Sequence, residues 1–452
     1  MYESFIHYTL PDLPANGGHM KSSTLTCIVA TILFVALGTP FESAAQSEGV
    51  IRHRYTVTNL GTLGGTSGNA SGINNRGWVV GDANLAGDTT EHASLWRNGA
   101  ITDLGTLGGL NSGVGYPART DERGLITGDA QTSTIDPLGE NWGLLFTCTA
   151  SGGSCEGYQN LVLGFLWQDG AMTALPTLGG NNAVALGGVN NRGQMVGYAE
   201  NSTRDPNCAS PQVLDWEAVI WGPKKGEIHE LAPFPGDSVG AAAGINDKGQ
   251  VVGGSGVCGF PSFADSVHAV LWQNGSVIDL GSFGGVMNNG GLAINNKGQV
   301  VGLSDLAGDT TAHAFFWEDG LMTDLGTLPG DVFSLAEGIN DAGQVVGQSC
   351  DVNFNCRAFL WQGGVMTDLN ALISPSSSVS LLDGKDINSQ GQIVGMAFDQ
   401  SNGETFGFLA TPGAEAVPSQ TQVRDKVILP ENVRELLRRR CGFGQFGATR
   451  PQ

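Results

Sequence analysis

The chain has 452 residues, of which 69 are glycine, 14% are charged and 40% are hydrophobic, and its net charge is −21. Glycine at twice its average usage of about 7%, with charge well below the usual level of about 25%, argues against disorder and against a helix-rich protein. Collagen is excluded because the glycines keep no three-residue period, and so acidic a surface repels phosphate backbones, which excludes nucleic acid as a partner.

Taken in chain order, the first feature is an apolar run from Leu25 to Leu37 after Met20-Lys21, followed by Ser43-Ala44-Ala45. A basic start, a short apolar stretch and small residues at Ser43 and Ala45 describe a secretory signal within residues 1–45, cut after Ala45, with Met20 as an alternative start. The run is too short for a membrane span of about 20 residues. The expected location is therefore secreted or periplasmic, with no membrane span.

From Tyr55 the chain repeats itself. "INNRGWVVG" at Ile73 recurs as "TDERGLITG" at Thr120, "VNNRGQMVG" at Val189, "INDKGQVVG" at Ile245, "INNKGQVVG" at Ile294, "INDAGQVVG" at Ile339 and "INSQGQIVG" at Ile387. Each copy is trailed by a phrase such as "HASLW" at His92, "EAVIW" at Glu217, "HAVLW" at His268, "HAFFW" at His313 or "RAFLW" at Arg357. Segments such as "ITDLGTLGG" at Ile101 and "MTDLGTLPG" at Met322 follow. Each unit reads as four short strands. The first ends at Ile-Asn, the Asn-x-x-Gly turn leads into the second, the third ends at the tryptophan, and a tight Asn98-Gly99-type turn returns the chain along the fourth.

Strand counting closes the ring. The last unit, ending "ETFGFLATP", lacks a fourth strand, while "YTVTNLGTLGG" at Tyr55 is a spare copy of that strand. The expected fold is all-β: a seven-bladed β-propeller over residues 46–412, with the N-terminal strand closing the last blade and removing its open edge. An open β-solenoid is the alternative. Small residues before the first phrase (Ala70, Ala242, Gly291 and their equivalents) suit strands crowded around a central channel. Trp96, Trp167, Trp221, Trp272, Trp317 and Trp361 share one position, which favours packing between blades over a carbohydrate-stacking platform.

These phrases resemble the HAF family of extracellular bacterial repeats, named for the tripeptide that His313-Ala314-Phe315 reproduces and that "HAS" at His92 and "HAV" at His268 approach. The likeness covers residues 55–412 and implies an exported repeat protein. It carries no activity, cofactor or catalytic residue. The second unit departs most, with "TDERGLITG" and a long insertion.

In a propeller one face carries the first-to-second and third-to-fourth turns, short here, and the other carries the variable loops, where function is expected. Disulfides are expected for Cys148 with Cys155 and for Cys350 with Cys356, with Cys208 to Cys258 as a further pair and Cys441 left over. The near-identical loops "GDANLAGDTTEH" at Gly81 and "LSDLAGDTTAH" at Leu303 offer Asp82, Asn84, Asp88, Asp305 and Asp309 as hard oxygen ligands. Calcium is the one ion they would suit, although no resident metal or cofactor and no catalytic residue is assigned. The repeated histidines sit in different blades and read as structural. In the tail, residues 413–452, a short basic helix near Glu431–Arg440 starts at Pro430. A frayed extension is the favoured reading of that tail, and docking of Val433, Leu436 and Leu437 the other.

The functional expectation is a monomeric, non-catalytic propeller binding a protein or a surface glycan through its long-loop face. The alternative is a carbohydrate-active hydrolase or lyase using carboxylates of that same face.

Overall fold

Each repeat folds as the four-stranded antiparallel sheet that its phrases predict. In blade 1 the strands Gly64–Ile73, Val79–Leu85, Glu91–Arg97 and Ala100–Asp103 pair in that order from inside to outside. Blades 2 to 6 repeat the pattern behind the inner strands Gly108–Gly113, Gly179–Val184, Val239–Ile245, Gly290–Ile294 and Phe333–Ile339. This computed structural model describes residues 52–115, 118, 120–142, 146, 159–186, 188–258, 266–417 and 426–440. The signal segment, Cys148, Cys155 and Cys441 lie outside the described residues.

Blade 7 is assembled from both ends of the ring. Its inner edge is the split strand Val379–Leu381 and Asp386–Ile387, followed by Ile393–Asp399 and Glu404–Val417. The N-terminal strand Arg52–Asn59 supplies the fourth member, with Val57 opposite Ala410 and Asn59 opposite Phe408. The fold is thus a seven-bladed β-propeller closed by its N-terminal strand, and the open solenoid is ruled out.

The "IN-x-x-G-Q" phrase is explained by a hydrogen-bond relay at the turn face. Asn295 Oδ1 accepts the backbone N–H groups of Lys297 and Gln299, both at 3.0 Å, which folds the turn. Its Nδ2 donates to Gln299 Oε1 at 2.6 Å and to the backbone oxygen of Asn340 in the next blade at 3.0 Å. The same cross-blade bond runs from Asn74 to Asp121, Asn190 to Asn246, Asn246 to Asn295, Asn340 to Asn388 and Asn388 back to Asn74. The chain of donors is interrupted where blade 2 carries Asp121, which has no amide to donate. There Glu122 N–H donates to Asn191 Oδ1 at 3.2 Å, part of a second ring built by the following residue of each phrase.

The glycine that closes the phrase has a steric reason. A Cβ on Gly302 would lie 2.0 Å from the backbone oxygen of Gly290 on the inner strand, and one on Gly347 would lie 2.0 Å from that of Leu335. First and second strands therefore approach more closely than any side chain permits. The turn glycine of the phrase, by contrast, is conformational: Gly77 has φ of 74°.

The core lies between blades rather than within them. Val80, Leu95 and Leu104 of blade 1 pack with Ile126, Ala130 and Phe165 of blade 2, and the Trp167 ring joins the same cluster. Trp221 and Trp272 donate through Nε1 to the backbone oxygens of Pro176 and Ala232 in the preceding interblade segments, at 2.8 and 2.7 Å. The repeated tryptophans are packing residues.

The described part of the tail that forms the helix is docked on the ring. The helix Glu431–Arg440 buries Val433, Leu436 and Leu437 together with Leu429 against Ala243, Leu292, Leu335, Leu382 and Phe398. Those partners come from the inner parts of blades 4 to 7, so the helix covers that side of the channel mouth on the long-loop face. Lys426 Nζ anchors the approach through Asp331 at 2.5 Å and Asp351 at 3.0 Å. Apolar spacing on a short helix shows which side can be buried, but not whether a complementary surface exists. The helix docks through Val433, Leu436 and Leu437, which corrects the favoured expectation of a frayed extension.

Three outcomes follow. Asn295→Asp keeps the turn acceptors but removes the cross-blade donor, and should lower stability by about 1–2 kcal/mol, while Asp121→Asn, which supplies the missing donor but gives up the 2.7 Å bond from Arg123, should stay within about 1 kcal/mol of wild type. Denaturant melts of the two variants measure both. Deleting residues 52–59 should lower the melting temperature of the whole ring in one cooperative step, and an unchanged melt would show that closure contributes nothing.

Candidate functional site

The long-loop face holds most of the side chains singled out by sequence, and the structure distributes them rather than gathering them. Cys208 is joined to Cys258 and Cys350 to Cys356. The first bridge ties loops of blades 3 and 4, and the second closes a six-residue excursion within blade 6. Asp205 and Asp215 lie beside the first bridge, but its two sulfurs are bonded to each other and offer no thiolate to a metal.

The five oxygen-bearing candidates fall in two blades. In blade 1, Asp88 Oδ1 accepts the N–H of Thr66 at 2.8 Å and Nδ2 of Asn84 at 3.1 Å, and Oδ2 accepts the Thr66 hydroxyl. In blade 5, Asp309 Oδ1 accepts the N–H of Val286 at 2.8 Å, and Asp305 accepts from Asn288 at 3.0 Å. Both "LAGD" loops thus clasp the corner by which the chain enters their blade. Asp82 turns instead toward blade 2, accepting the N–H of Val114 at 2.6 Å.

The histidines have partners that sequence reading missed. His92 Nδ1 meets Asp103 at 2.8 Å and His313 Nδ1 meets Asp324 at 3.0 Å, each pairing the third-strand histidine with the aspartate of the "TDLG" phrase. In blade 6 the same two positions hold Arg357 and Asp368, 3.0 Å apart. The constant spacing of 11 residues in all three blades was a usable signal. The His92 hydrogen bond holds the Asp103 carboxyl below its ordinary range. Blade 4 differs: His268 bonds Asp237 at 2.8 Å.

Blade 3 puts two acids at the paired positions, Glu217 and Glu230. Burial, then the neighbouring charges of Glu230 and Asp215, push the Glu217 carboxyl up to about 8. A second raised acid lies between blades 2 and 3. Glu200 accepts from the N–H groups of Asn181 and Asn182 and from Gln212, and burial followed by Glu140 pushes it up to about 8. Glu140 in turn accepts the N–H groups of Val213 and Leu214, both at 2.8 Å. This carboxyl pair latches the inserted loops of two blades together. Raised carboxyls are the usual mark of acid catalysis, but Glu200 and Glu140 spend oxygens on backbone N–H groups in the interior. Asp129, buried beside Asp82 and Glu91, is also raised, chiefly by desolvation. A buried lysine, Lys385, bridges Glu337 at 2.5 Å and Asp383 at 3.4 Å across the inner strands of blades 6 and 7.

A large open cleft on this face, about 900 Å³, lies between blades 6 and 7 and the docked tail. Its walls present Ser377, Ser378, Ser380, Gln400 and Ser401, with Arg357 and Lys426 at one side. Those cations are fixed in place: Arg357 Nη2 is 2.8 Å from Asp331, which also holds Lys426. Asp368, the carboxylate of the cleft, accepts from Arg357 and from the N–H of Asn370 at 2.9 Å. The cleft was not legible in sequence, because it forms only where a tail and two blades meet.

No protein-family model matches the chain, and no curated protein does either. Among solved structures it is similar to the acylaminoacyl peptidase of Pyrococcus horikoshii, at 11% identity and a TM-score of 0.41 over 76% of this chain and 51% of that one. A gluconolactonase from Xanthomonas campestris matches at 10% identity and a TM-score of 0.33, over 80% of this chain and 97% of its own. A Trypanosoma rangeli sialidase matches at 12% identity and 0.30, over 63% and 52%. The chain spans about half the length of the peptidase. Among the described residues, no helix is long and apolar enough to cross a membrane.

The raised Glu217 carboxyl makes a signed prediction. Its folded form holds a proton up to about pH 8, whereas an unfolded glutamate loses it near pH 4.3. Its contribution to stability is present at low pH and is lost as pH rises through about 8. Glu217→Gln keeps the neutral form at all pH values, so its melting temperature relative to wild type should be higher at pH 9 than at pH 5.5. Equal differences at the two pH values would refute the shift.

Proposed function

We propose that this chain is an exported, non-catalytic binding propeller of the HAF-repeat kind, which holds a hydroxyl-rich ligand such as a surface glycan on its long-loop face. The observation that carries this reading is the polar cleft between blades 6 and 7. Hydroxyl and amide groups of Ser378, Ser380, Gln400 and Ser401 line it, and fixed cations stiffen one wall. Groups of this kind hydrogen-bond sugars in either direction, because hydroxyls and amides donate and accept.

Binding is favoured over hydrolysis by the carboxylates. Glycoside hydrolysis takes two, one to protonate the leaving oxygen and one to attack or activate water. Among the described residues Asp368 is the one carboxylate that lines the cleft, and it is engaged by Arg357 and by the chain itself. Export is supported by the signal-like N-terminus and by the two disulfides, which form and persist in oxidising compartments.

A glycan array probed with the full chain and with Ser378→Trp tests this. Ser378 is exposed, so an indole there fills the cleft without disturbing the core. Bound glycans should be lost at least tenfold with an unchanged melting temperature. Equal binding by the variant would remove the cleft from consideration, and release of shorter sugars from a bound glycan would replace the binding reading with the hydrolase.

A further inference from the structure

The short-turn face carries a charge asymmetry that the net charge conceals. In blades 1 to 3 its turns hold six cations, Arg76, Arg97, Arg123, Arg192, Lys224 and Lys225, against four carboxylates, Asp121, Glu122, Asp169 and Glu227. In blades 4 to 7 the corresponding turns hold Lys248 and Lys297 against Asp247, Glu318, Asp319 and Asp341. One sector of the face is thus net positive on a chain whose total is −21.

Three local structures build that sector. Five third-to-fourth turns are two-residue turns with positive φ at both central positions, as at Asn98 and Gly99 (53° and 76°). Blade 3 replaces this with the longer Gly222-Pro223-Lys224-Lys225-Gly226, closed by Gly222 N–H to the Glu227 oxygen at 3.0 Å, which projects two exposed lysines. Those lysines, with Arg123 and Arg192, line a groove of about 640 Å³ between blades 2 and 3, whose other walls include Leu125 and Pro223. In blade 1, where most copies of the repeat have glutamine, Trp78 stands with the guanidinium carbons of Arg97 and Arg76 at 4.8 and 5.5 Å from its ring centre.

The partners of these cations are few. Arg123 is paired with the buried Asp121 at 2.7 Å, and Arg76 reaches Glu122 only at 3.9 Å. Among the described residues, Arg97, Arg192, Lys224 and Lys225 make no ion pair. All six cations are exposed. Where surface charge is scarce and mostly negative, exposed cations on three consecutive blades, with Arg97 of blade 1 and Arg192, Lys224 and Lys225 of blade 3 outside any ion pair among the described residues, are an electrostatic landing site for an extended anion.

We infer that the turn face of blades 1 to 3 binds an acidic polysaccharide, a chain of carboxylated sugars, at a site separate from the polar cleft of the opposite face. The anion is a polymer because the cations form a row across three blades instead of converging on one point. A sugar chain fits better than an acidic peptide: the row sets planar guanidinium groups of Arg123 and Arg192 along an open groove walled by Leu125 and Pro223, surfaces suited to packing a pyranose face. The carboxylates supply the bidentate partners that arginine prefers.

The test uses the full chain with sodium polygalacturonate at low salt, and neutral dextran and poly-L-glutamate as comparisons. Wild type should bind polygalacturonate, lose that binding as salt approaches 0.3 M in keeping with a Debye length of about 6 Å there, and show no salt-sensitive binding of dextran. Lys224→Glu with Lys225→Glu should weaken binding at least tenfold, whereas Lys248→Glu with Lys297→Glu, the same charge change on the other sector, should weaken it less than threefold. Ser378→Trp should leave it unchanged, which separates this site from the cleft. No binding by wild type, equal loss from the two double variants, or poly-L-glutamate bound as tightly as polygalacturonate would each overturn the inference, the last in favour of an acidic peptide.

Discussion

The structure depends on one bond: the asparagine side chain at the start of six of the seven turns donating to the backbone of the next blade. In a single residue such as Asn295, the amide oxygen folds its own turn while the amide nitrogen fixes the position of a neighbour. Local and tertiary structure are therefore set by the same side chain, the kind of agreement between levels that makes a sequence specify one fold. Close packing follows from it. Once the turns are fixed in a ring, inner and second strands are pressed together, and only glycine fits where Gly302 faces Gly290. The apolar material then fills the gaps between blades, with the tryptophans and the small residues dividing that space.

Much of this was legible because it is repeated. Seven copies of a turn phrase reveal a period even though no copy alone is decisive, and a missing strand at one end matched by a spare at the other gives closure. What escaped notice were pairings between phrases. The His92–Asp103 and Arg357–Asp368 pairs sit at equivalent positions with different chemistry, so they appear in sequence as two unrelated variable columns. The docking of Leu436 and Leu437 depends on a surface contributed by four blades. Contacts of that sort have no local signature, and a ten-residue helix outside the repeat offers no second copy to compare.

The departures from the repeat are where function is most readily sought, and they divide by face. On the loop face the insertions of blades 2 and 3 are tied by Glu140, Glu200 and Gln212, and the tail occupies one side of the channel mouth, which leaves the Ser-rich cleft at the rim as the open polar site. On the turn face the one altered hairpin, that of blade 3, adds two lysines to an arginine-bearing sector. Acids buried with raised affinity for protons, such as Glu200, bind the scaffold together, while the cations of this sector are exposed.

Closure by the N-terminal strand has a consequence for how such a chain can change over time. A linear array of repeats can gain or lose a unit at its end and remain folded, since each unit touches only its neighbours. Here the last blade borrows a strand from the first residues of the ring, and the asparagine relay returns from Asn388 to Asn74. An eighth unit or a sixth would alter the angle at every other junction at once. Individual blades are free to diverge, as the second has done with Asp121 and its long insertion, but their number is locked. Adding or removing a unit would therefore have to re-form both the shared blade and the asparagine relay, whereas substitution and loop growth leave them in place.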